Sequence, residues 1–129
     1  MRLHNIPVFL SVLVFAVTLL FAQGVMAVEQ IELIKPGHIT PEEGKELIRL
    51  KEDLVIIDVR DPHEFIMLHY PNALNIPVNE LESRLTEVPE DRPVLVYCGR
   101  GIRSERAYEI LLETRPDMEL YHIQGVPIF

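Results

Sequence analysis

Cys98 is the residue with the clearest capacity for chemistry, and it is the only cysteine among the 129 residues. It ends an apolar run and begins a loop with two glycines, two arginines and a serine: Gly99, Arg100, Gly101, Ile102, Arg103 and Ser104. Glycines allow a backbone to curl so that successive amides point inward, and a following helix start adds positive potential. Such surroundings lower the pKa of a thiol and activate it as a nucleophile. The sequence therefore predicts a nucleophilic Cys98 in an anion cradle formed by residues 99–104.

The polar side chains of this loop have different expected roles, and two of them have two possible roles each. Arg103 is expected to orient an anionic substrate, because guanidinium groups bind oxyanions in a bidentate way. Arg100 fits either that role or a solvated position on the surface. The Ser104 hydroxyl is placed either to hydrogen-bond the sulfur or to cap the helix. A second polar pair, Asp58 and Arg60, follows another apolar run, and we predict a charge pair with a supporting or purely structural role.

The elements that must position these residues alternate along the chain. Strands are predicted at Ile31–Ile34, Leu54–Val59, Ala73–Ile76, Val94–Cys98 and Leu120–Ile123. Helices are predicted at Pro41–Leu50 after a Thr40/Glu43 capping box, at Asp61–Leu68, at Glu80–Leu85 with Asn79 as cap and Glu82 three residues on, and at Ser104–Thr114. This alternation predicts an α/β fold, with a mostly parallel five-stranded sheet and helices on both faces. Such sheets bind ligands beyond the carboxyl ends of their strands, where Asp58 and Cys98 both lie.

The first 27 residues have a different character from the rest. Arg2 precedes an uncharged stretch of 17 residues, Ile6–Ala22, and small residues at Val25 and Ala27 form a cleavage site. This pattern predicts a signal peptide over residues 1–27. The stretch is at the lower limit for spanning a bilayer, so an uncleaved membrane anchor is the alternative. Either interpretation leaves one domain, residues 28–129, in the periplasm, secreted, or anchored facing out of the cytoplasm.

Composition excludes several function classes. The chain has 20 acidic and 12 basic residues, a net charge of −8, which argues against nucleic-acid binding. The histidines of the mature domain lack the paired spacing of a metal site: His38, His63, His69 and His122. We therefore expect no nucleic-acid partner, and a membrane contact only through the N-terminal segment if it is not cleaved. We also expect no metal and no cofactor.

The loop Cys98-Gly-Arg-Gly-Ile-Arg-Ser104 resembles the active-site loop of single-domain rhodaneses, a sulfurtransferase family. Two upstream segments are similar to family motifs in the same order: Ile57-Asp-Val-Arg-Asp-Pro-His-Glu-Phe65 and His69-Tyr-Pro-Asn-Ala-Leu-Asn-Ile-Pro77. The resemblance spans roughly residues 31–125. With the predicted signal peptide, the chain resembles the short periplasmic rhodaneses, so the fold implied is a rhodanese-like α/β domain.

Two positions depart from the family pattern. The segment Gln124-Gly-Val-Pro-Ile-Phe129 has one glycine of the usual pair, with Val126 in place of the second, and no closing helix fits after it. We therefore expect a C-terminally short domain that is less closed on one side of the site. Gly99 stands where larger or charged residues are common in the family.

The resemblance implies sulfur transfer in two steps. Cys98 would take the outer sulfur of a small anionic donor such as thiosulfate, forming a persulfide, and pass it to cyanide or a thiol. A cysteine phosphatase or arsenate reductase is one alternative, but their loops resemble Cys-x5-Arg, whereas four residues separate Cys98 from Arg103. The smaller ring suits one sulfur atom better than a phosphate. A non-catalytic rhodanese-like binding or sulfur-carrier module is the other alternative.

Overall fold

The computed structural model describes residues 8–129. Helix α1, Val8–Leu33, belongs to one structural unit, and residues 34–129 form another. Within the described part of the chain, no helix is both long and apolar enough to cross a membrane. Residues 1–7 of the predicted signal peptide lie outside the described residues, and cleavage after Ala27 stays a prediction.

The second unit alternates strands and helices. Its strands are β1 Gly37–Ile39, β2 Val55–Asp58, β3 Leu74–Asn75, β4 Val94–Tyr97 and β5 Leu120–Ile123. Its helices are α2 Pro41–Leu50, α3 Pro62–Met67, a 3₁₀ helix at Leu81–Glu87, and α4 Ile102–Thr114. All five strands are parallel, in the order β1-β5-β4-β2-β3. The predicted five-stranded α/β fold is confirmed, and its sheet is entirely parallel.

The core lies in two layers, one on each face of the sheet. One layer packs alternate strand residues such as Val96 against Ala107 and Leu111 of α4, and the other packs Leu95 and its neighbours against Leu47 of α2. Helices therefore cover both faces, as the sequence predicts. Because β4 is buried on both faces, its residues form a continuous apolar run instead of an alternating one.

Helix α2 begins as its sequence predicts. The Thr40 hydroxyl accepts a hydrogen bond from the Glu43 amide, and the Glu43 carboxylate accepts one from the Thr40 amide. Pro41 occupies the first turn, where its missing amide proton is not needed. These reciprocal bonds satisfy two backbone donors that a helix start otherwise leaves unpaired.

Two predicted elements are wrong. Ile31–Ile34 is not the first strand, because α1 continues to Leu33 and the first strand is β1 at Gly37–Ile39. Such a short apolar segment fits a helix and a strand equally well. Asn79 does not cap the next helix, since it lies in a turn that the Glu80 amide closes on the Pro77 carbonyl, and the 3₁₀ helix begins only at Leu81.

Candidate active site

Cys98 lies directly after the central strand β4, in the tight loop that enters α4. Alternation along β4 places its side chain on the face covered by α4, in the same layer as Val96. Gly101 ends the loop with a φ of +92°, a left-handed conformation in which side chains are strained. A Cβ atom there would also lie 2.9 Å from the Gly125 nitrogen. The loop therefore needs glycine at position 101 both for its backbone conformation and for close packing.

The loop turns hydrogen-bond donors toward the sulfur of Cys98. The Gly101 amide lies 3.1 Å and the Ser104 hydroxyl 3.4 Å from Sγ. Burial raises the pKa of the Cys98 thiol, but hydrogen bonds from the Ser104 hydroxyl and from the amides of Arg100, Ser104 and Gly101 outweigh it, and the pKa is lowered. Since donors stabilise an anion and not a neutral thiol, this geometry favours a thiolate.

The longer side chains of the same loop lie at its outer surface. Cys98 is only 2% exposed, whereas Arg100 is exposed and Ile102 is 76% exposed. Gly99 sits half-buried, near the Arg103 guanidinium. The cradle is thus built from backbone amides and one hydroxyl, with the longer side chains at its outer surface.

Arg103 is held by acidic residues of the neighbouring loop and helix. Its guanidinium donates to the two carboxylate oxygens of Glu64 at 2.5 and 2.9 Å, and it lies 3.5 Å from Asp61. The hydrogen bonds from Arg103 lower the pKa of Glu64 to about 2. In this arrangement the guanidinium that we expect to orient a donor is already engaged in a bidentate pair.

Asp58 and Arg60 form the predicted charge pair at the end of β2. Nε of Arg60 donates to both Asp58 oxygens at 2.9 and 3.0 Å, and a terminal nitrogen donates to the Leu68 carbonyl at 2.6 Å. Asp58 is fully buried. The Phe129 ring lies 5.4 Å from the Arg60 guanidinium carbon, within cation–π distance. The Phe129 ring therefore packs against this charge pair.

The sequence alone missed a polar network behind the cradle. Nε2 of His122 lies 2.9 Å from the Ser104 hydroxyl, which in turn reaches Cys98. Beyond His122 lie Glu105 and His38, whose Nε2 is 2.8 Å from the Glu105 carboxylate. The sequence does contain the two histidines, but nothing in it shows that they are neighbours until β1 is paired with β5.

A concavity of about 750 Å³ lies on the domain away from Cys98. It is lined at the start of β2 by Val55 and Ile56 and by residues of the neighbouring loops. Lys51, Glu52, Glu87 and Arg92 bring both signs of charge to its wall, and no cysteine or histidine lines it. Size alone therefore does not identify the functional site, and the chemistry of the groups points to Cys98.

Residues 40–126 match the family described as rhodanese-like domain. The chain belongs to that family. It is 38% identical over 88 residues to the thiosulfate sulfurtransferase GlpE of Coxiella burnetii, covering 68% of this chain and 80% of that one. It is 37% identical over 62 residues to a sulfurtransferase of Allochromatium vinosum, covering 48% and 58%. The chain spans a little over half the length of that protein and of YqhL from Bacillus subtilis.

Solved structures of this family share the fold. A rhodanese-like domain protein from Staphylococcus aureus superposes with a TM-score of 0.62 at 26% identity, covering 72% of this chain and 87% of that one. The resemblance to rhodaneses that the loop sequence indicated is confirmed. Together, the rhodanese-like domain and its sulfurtransferase relatives support sulfur transfer as the general chemistry of this chain.

Proposed function

We propose that this rhodanese-like domain transfers a sulfane sulfur from a small anionic donor such as thiosulfate to a thiol or cyanide, through a persulfide on Cys98. The observation that carries the proposal is the ring of donors around the sulfur, in which the Gly101 amide and the Ser104 hydroxyl converge on one atom. Both the thiolate and the persulfide are anions, so the same donors serve both halves of the reaction.

The reaction balances without a cofactor. The Cys98 thiolate attacks the outer sulfur of thiosulfate, the S–S bond of the donor breaks, and sulfite leaves with the bonding electron pair. The acceptor then attacks the outer sulfur of the persulfide, and Cys98 leaves as a thiolate. A lowered thiol pKa assists both steps, because it supplies the nucleophile and improves the leaving group.

The ion pair of Arg103 assigns it a supporting role in this scheme. Because Glu64 binds the guanidinium in a bidentate way, Arg103 fixes the outer wall of the loop against α3. Arg100 is exposed at the rim and forms no ion pair with another residue that the structure describes, so it is the better candidate for attracting an anionic donor. The same pairing of Arg103 argues against a phosphatase, whose arginine must face the bound oxyanion.

A non-catalytic binding or sulfur-carrier module is the second candidate. The observation that favours it is the burial of Cys98, which is 2% exposed and leaves little of the residue open to a donor. As a binding or carrier module, the domain would bind a ligand or hold a sulfur atom at this site without catalysing its transfer. A binding module would form no persulfide on the folded chain, whereas a sulfur carrier would form one without turning over the donor.

Mass spectrometry of the intact protein after incubation with thiosulfate tests the proposal. We expect a gain of one sulfur atom that cyanide removes with release of thiocyanate, and no gain in Cys98→Ser. The matched control, Ser83→Ala on the exposed side of the 3₁₀ helix, should load like the unchanged chain. A folded chain that gains no sulfur would contradict sulfur transfer and favour the binding module.

For localisation, we propose that residues 1–27 direct the domain out of the cytoplasm, to the periplasm or beyond, or anchor it to the membrane. The uncharged stretch Ile6–Ala22 after Arg2 supports this. Cell fractionation followed by intact mass tests it. Export with cleavage would yield residues 28–129, and export without cleavage would yield the full chain in the membrane fraction. Full-length protein in the soluble cytoplasm would contradict both forms.

A further inference from the structure

Two histidines face each other on neighbouring strands behind the Cys98 loop. His38 of β1 and His122 of β5 are direct Cα partners in the parallel register, and their ring centroids lie 5.1 Å apart. Glu105, from the first turn of α4, contributes a carboxylate oxygen 2.8 Å from His38 Nε2 and another 3.2 Å from His122 Nδ1. Three residues distant in sequence therefore bring two imidazoles and a carboxylate to one point.

The surroundings of His122 indicate which ring nitrogen carries its proton. The side chain is buried, and its Nε2 lies 2.9 Å from the Ser104 hydroxyl and 3.2 Å from the Gly101 carbonyl, in hydrogen-bond geometry. A carbonyl oxygen can only accept, so the tautomer with its proton on Nε2 is the one that donates a hydrogen bond to Gly101. The other nitrogen, Nδ1, is then left with a bare lone pair in the neutral ring.

That lone pair faces a negative charge. Nδ1 is buried and has no hydrogen-bond partner among the described residues, although the Glu105 carboxylate lies 3.2 Å away. Two acceptors at this distance repel each other unless a cation lies between them.

We propose that His38, Glu105 and His122 form a binding site for a divalent transition-metal ion such as Zn²⁺. Imidazole nitrogens and a carboxylate are ligands that this ion prefers. The three ligand atoms lie within 4.8 Å of one another. Tetrahedral zinc needs separations of roughly 3.4 Å, given bonds of about 2.1 Å. The half-exposed side chains of His38 and Glu105 can close that difference while the buried His122 stays in place.

The site has room for a further ligand from solvent. A concavity of about 360 Å³ opens beside it, lined by Glu105 and His122 together with Gly101, Gln124 and other loop residues. Because His122 also contacts Ser104, the site is joined to the Cys98 sulfur through two successive contacts, yet the thiol is not one of its ligands. This separation allows metal binding to be tested independently of the sulfur chemistry.

Calorimetric titration of the full, untagged chain with Zn²⁺ tests the proposal, with the visible spectrum of the Co²⁺ complex as a second readout. We expect one ion per chain, and a loss of affinity of more than about tenfold in His38→Ala and in Glu105→Gln. Both side chains are partly exposed, so these variants should keep the fold, which circular dichroism checks. The control His63→Ala changes an exposed histidine of α3 and should bind like the unchanged chain.

Three results would overturn the metal site. One is a folded, unchanged chain that binds no Zn²⁺. Another is binding that survives both His38→Ala and Glu105→Gln with unchanged affinity. The third is binding that disappears in Cys98→Ser, because the thiol would then be the ligand. Retention of the ion by Cys98→Ser, with the tetrahedral Co²⁺ bands of nitrogen and oxygen ligands, supports the proposal.

Discussion

The ends of two adjacent strands, β2 and β4, hold their polar groups in opposite ways. At the end of β2, Asp58 and Arg60 pair with each other, and a terminal nitrogen of Arg60 also donates to the Leu68 carbonyl. At the end of β4, several donors converge on Cys98 without a charged partner. The first arrangement is complete without a ligand, whereas the second is completed only by an anion on sulfur. Similar positions in the sheet thus hold a structural pair and the proposed reactive site.

The largest effect is expected where the complete pair is broken. Asp58→Asn removes the charge that compensates a buried guanidinium, so we expect a loss of about 3–5 kcal/mol in the free energy of unfolding. Urea denaturation measures this loss. The control Glu46→Gln breaks the exposed pair with Arg49 on α2 and should leave the midpoint unchanged. An Asp58→Asn variant as stable as the unchanged chain would show that the pair is not a structural element.

The next effect concerns the donors of the cradle. Ser104→Ala removes the hydroxyl that faces Sγ, and a hydrogen bond to a charged group is worth about 1.5–3 kcal/mol. The pKa of Cys98 should therefore rise by roughly one to two pH units. The pH dependence of iodoacetamide alkylation measures it, with Ser83→Ala as the control. An unchanged midpoint would mean that Ser104 acts only on the helix.

A smaller effect is expected from straining the loop backbone. Gly101→Ala places a side chain at a φ of +92° and against the Gly125 backbone, at a cost of about 1–3 kcal/mol. Gly99→Ala is the matched control within the same loop, because its nearest neighbour would be Arg103 at 3.6 Å. Thermal denaturation compares the two. Equal stability of both variants would contradict the close packing of the loop against Gly125.

The smallest effect is expected from the pair of Glu64 and Arg103, which is partly solvated, unlike the buried pair of Asp58 and Arg60. Glu64→Gln should cost at most about 1 kcal/mol, because its pair with Arg103 is partly solvated. The folded pKa of Glu64, about 2, lies below its ordinary value, so its contribution is present in full above about pH 4.3 and disappears as the pH falls toward 2. Denaturation of both chains from pH 2 to 7 measures this. A difference at pH 2 as large as the one at pH 7 would contradict it.

Local patterns in the sequence predicted most of the fold. The capping box at Thr40, the buried run of β4 and the glycine-rich turn after Cys98 are each determined by neighbouring residues, and the structure contains all three. The first strand was misplaced because Gly37–Ile39 has little strand character of its own and acquires it by pairing with β5. That error also concealed the His38–His122 pair, since a histidine in a loop has no defined neighbour.

The direction of the loop side chains depends on tertiary contacts. Cys98, Gly101 and Ser104 could be assigned to the cradle because a tight turn into a helix fixes where their amides point. Arg103 could not, because its partner Glu64 lies 39 residues earlier on another helix. Spacing along the chain predicts which groups meet within a loop. Which distant residue pairs with a long side chain such as Arg103 is known only from the folded structure.

The central claim is that the loop stabilises an ionised sulfur, and the pH titration of Cys98 tests it most directly. Thiolate absorbance should be followed in the folded chain and in the same chain unfolded in urea, with Cys98→Ser as the baseline. We predict that the folded chain ionises at lower pH than the unfolded one, whose thiol should titrate near about pH 8.5. A folded thiol that titrates at the same pH or higher would contradict the account.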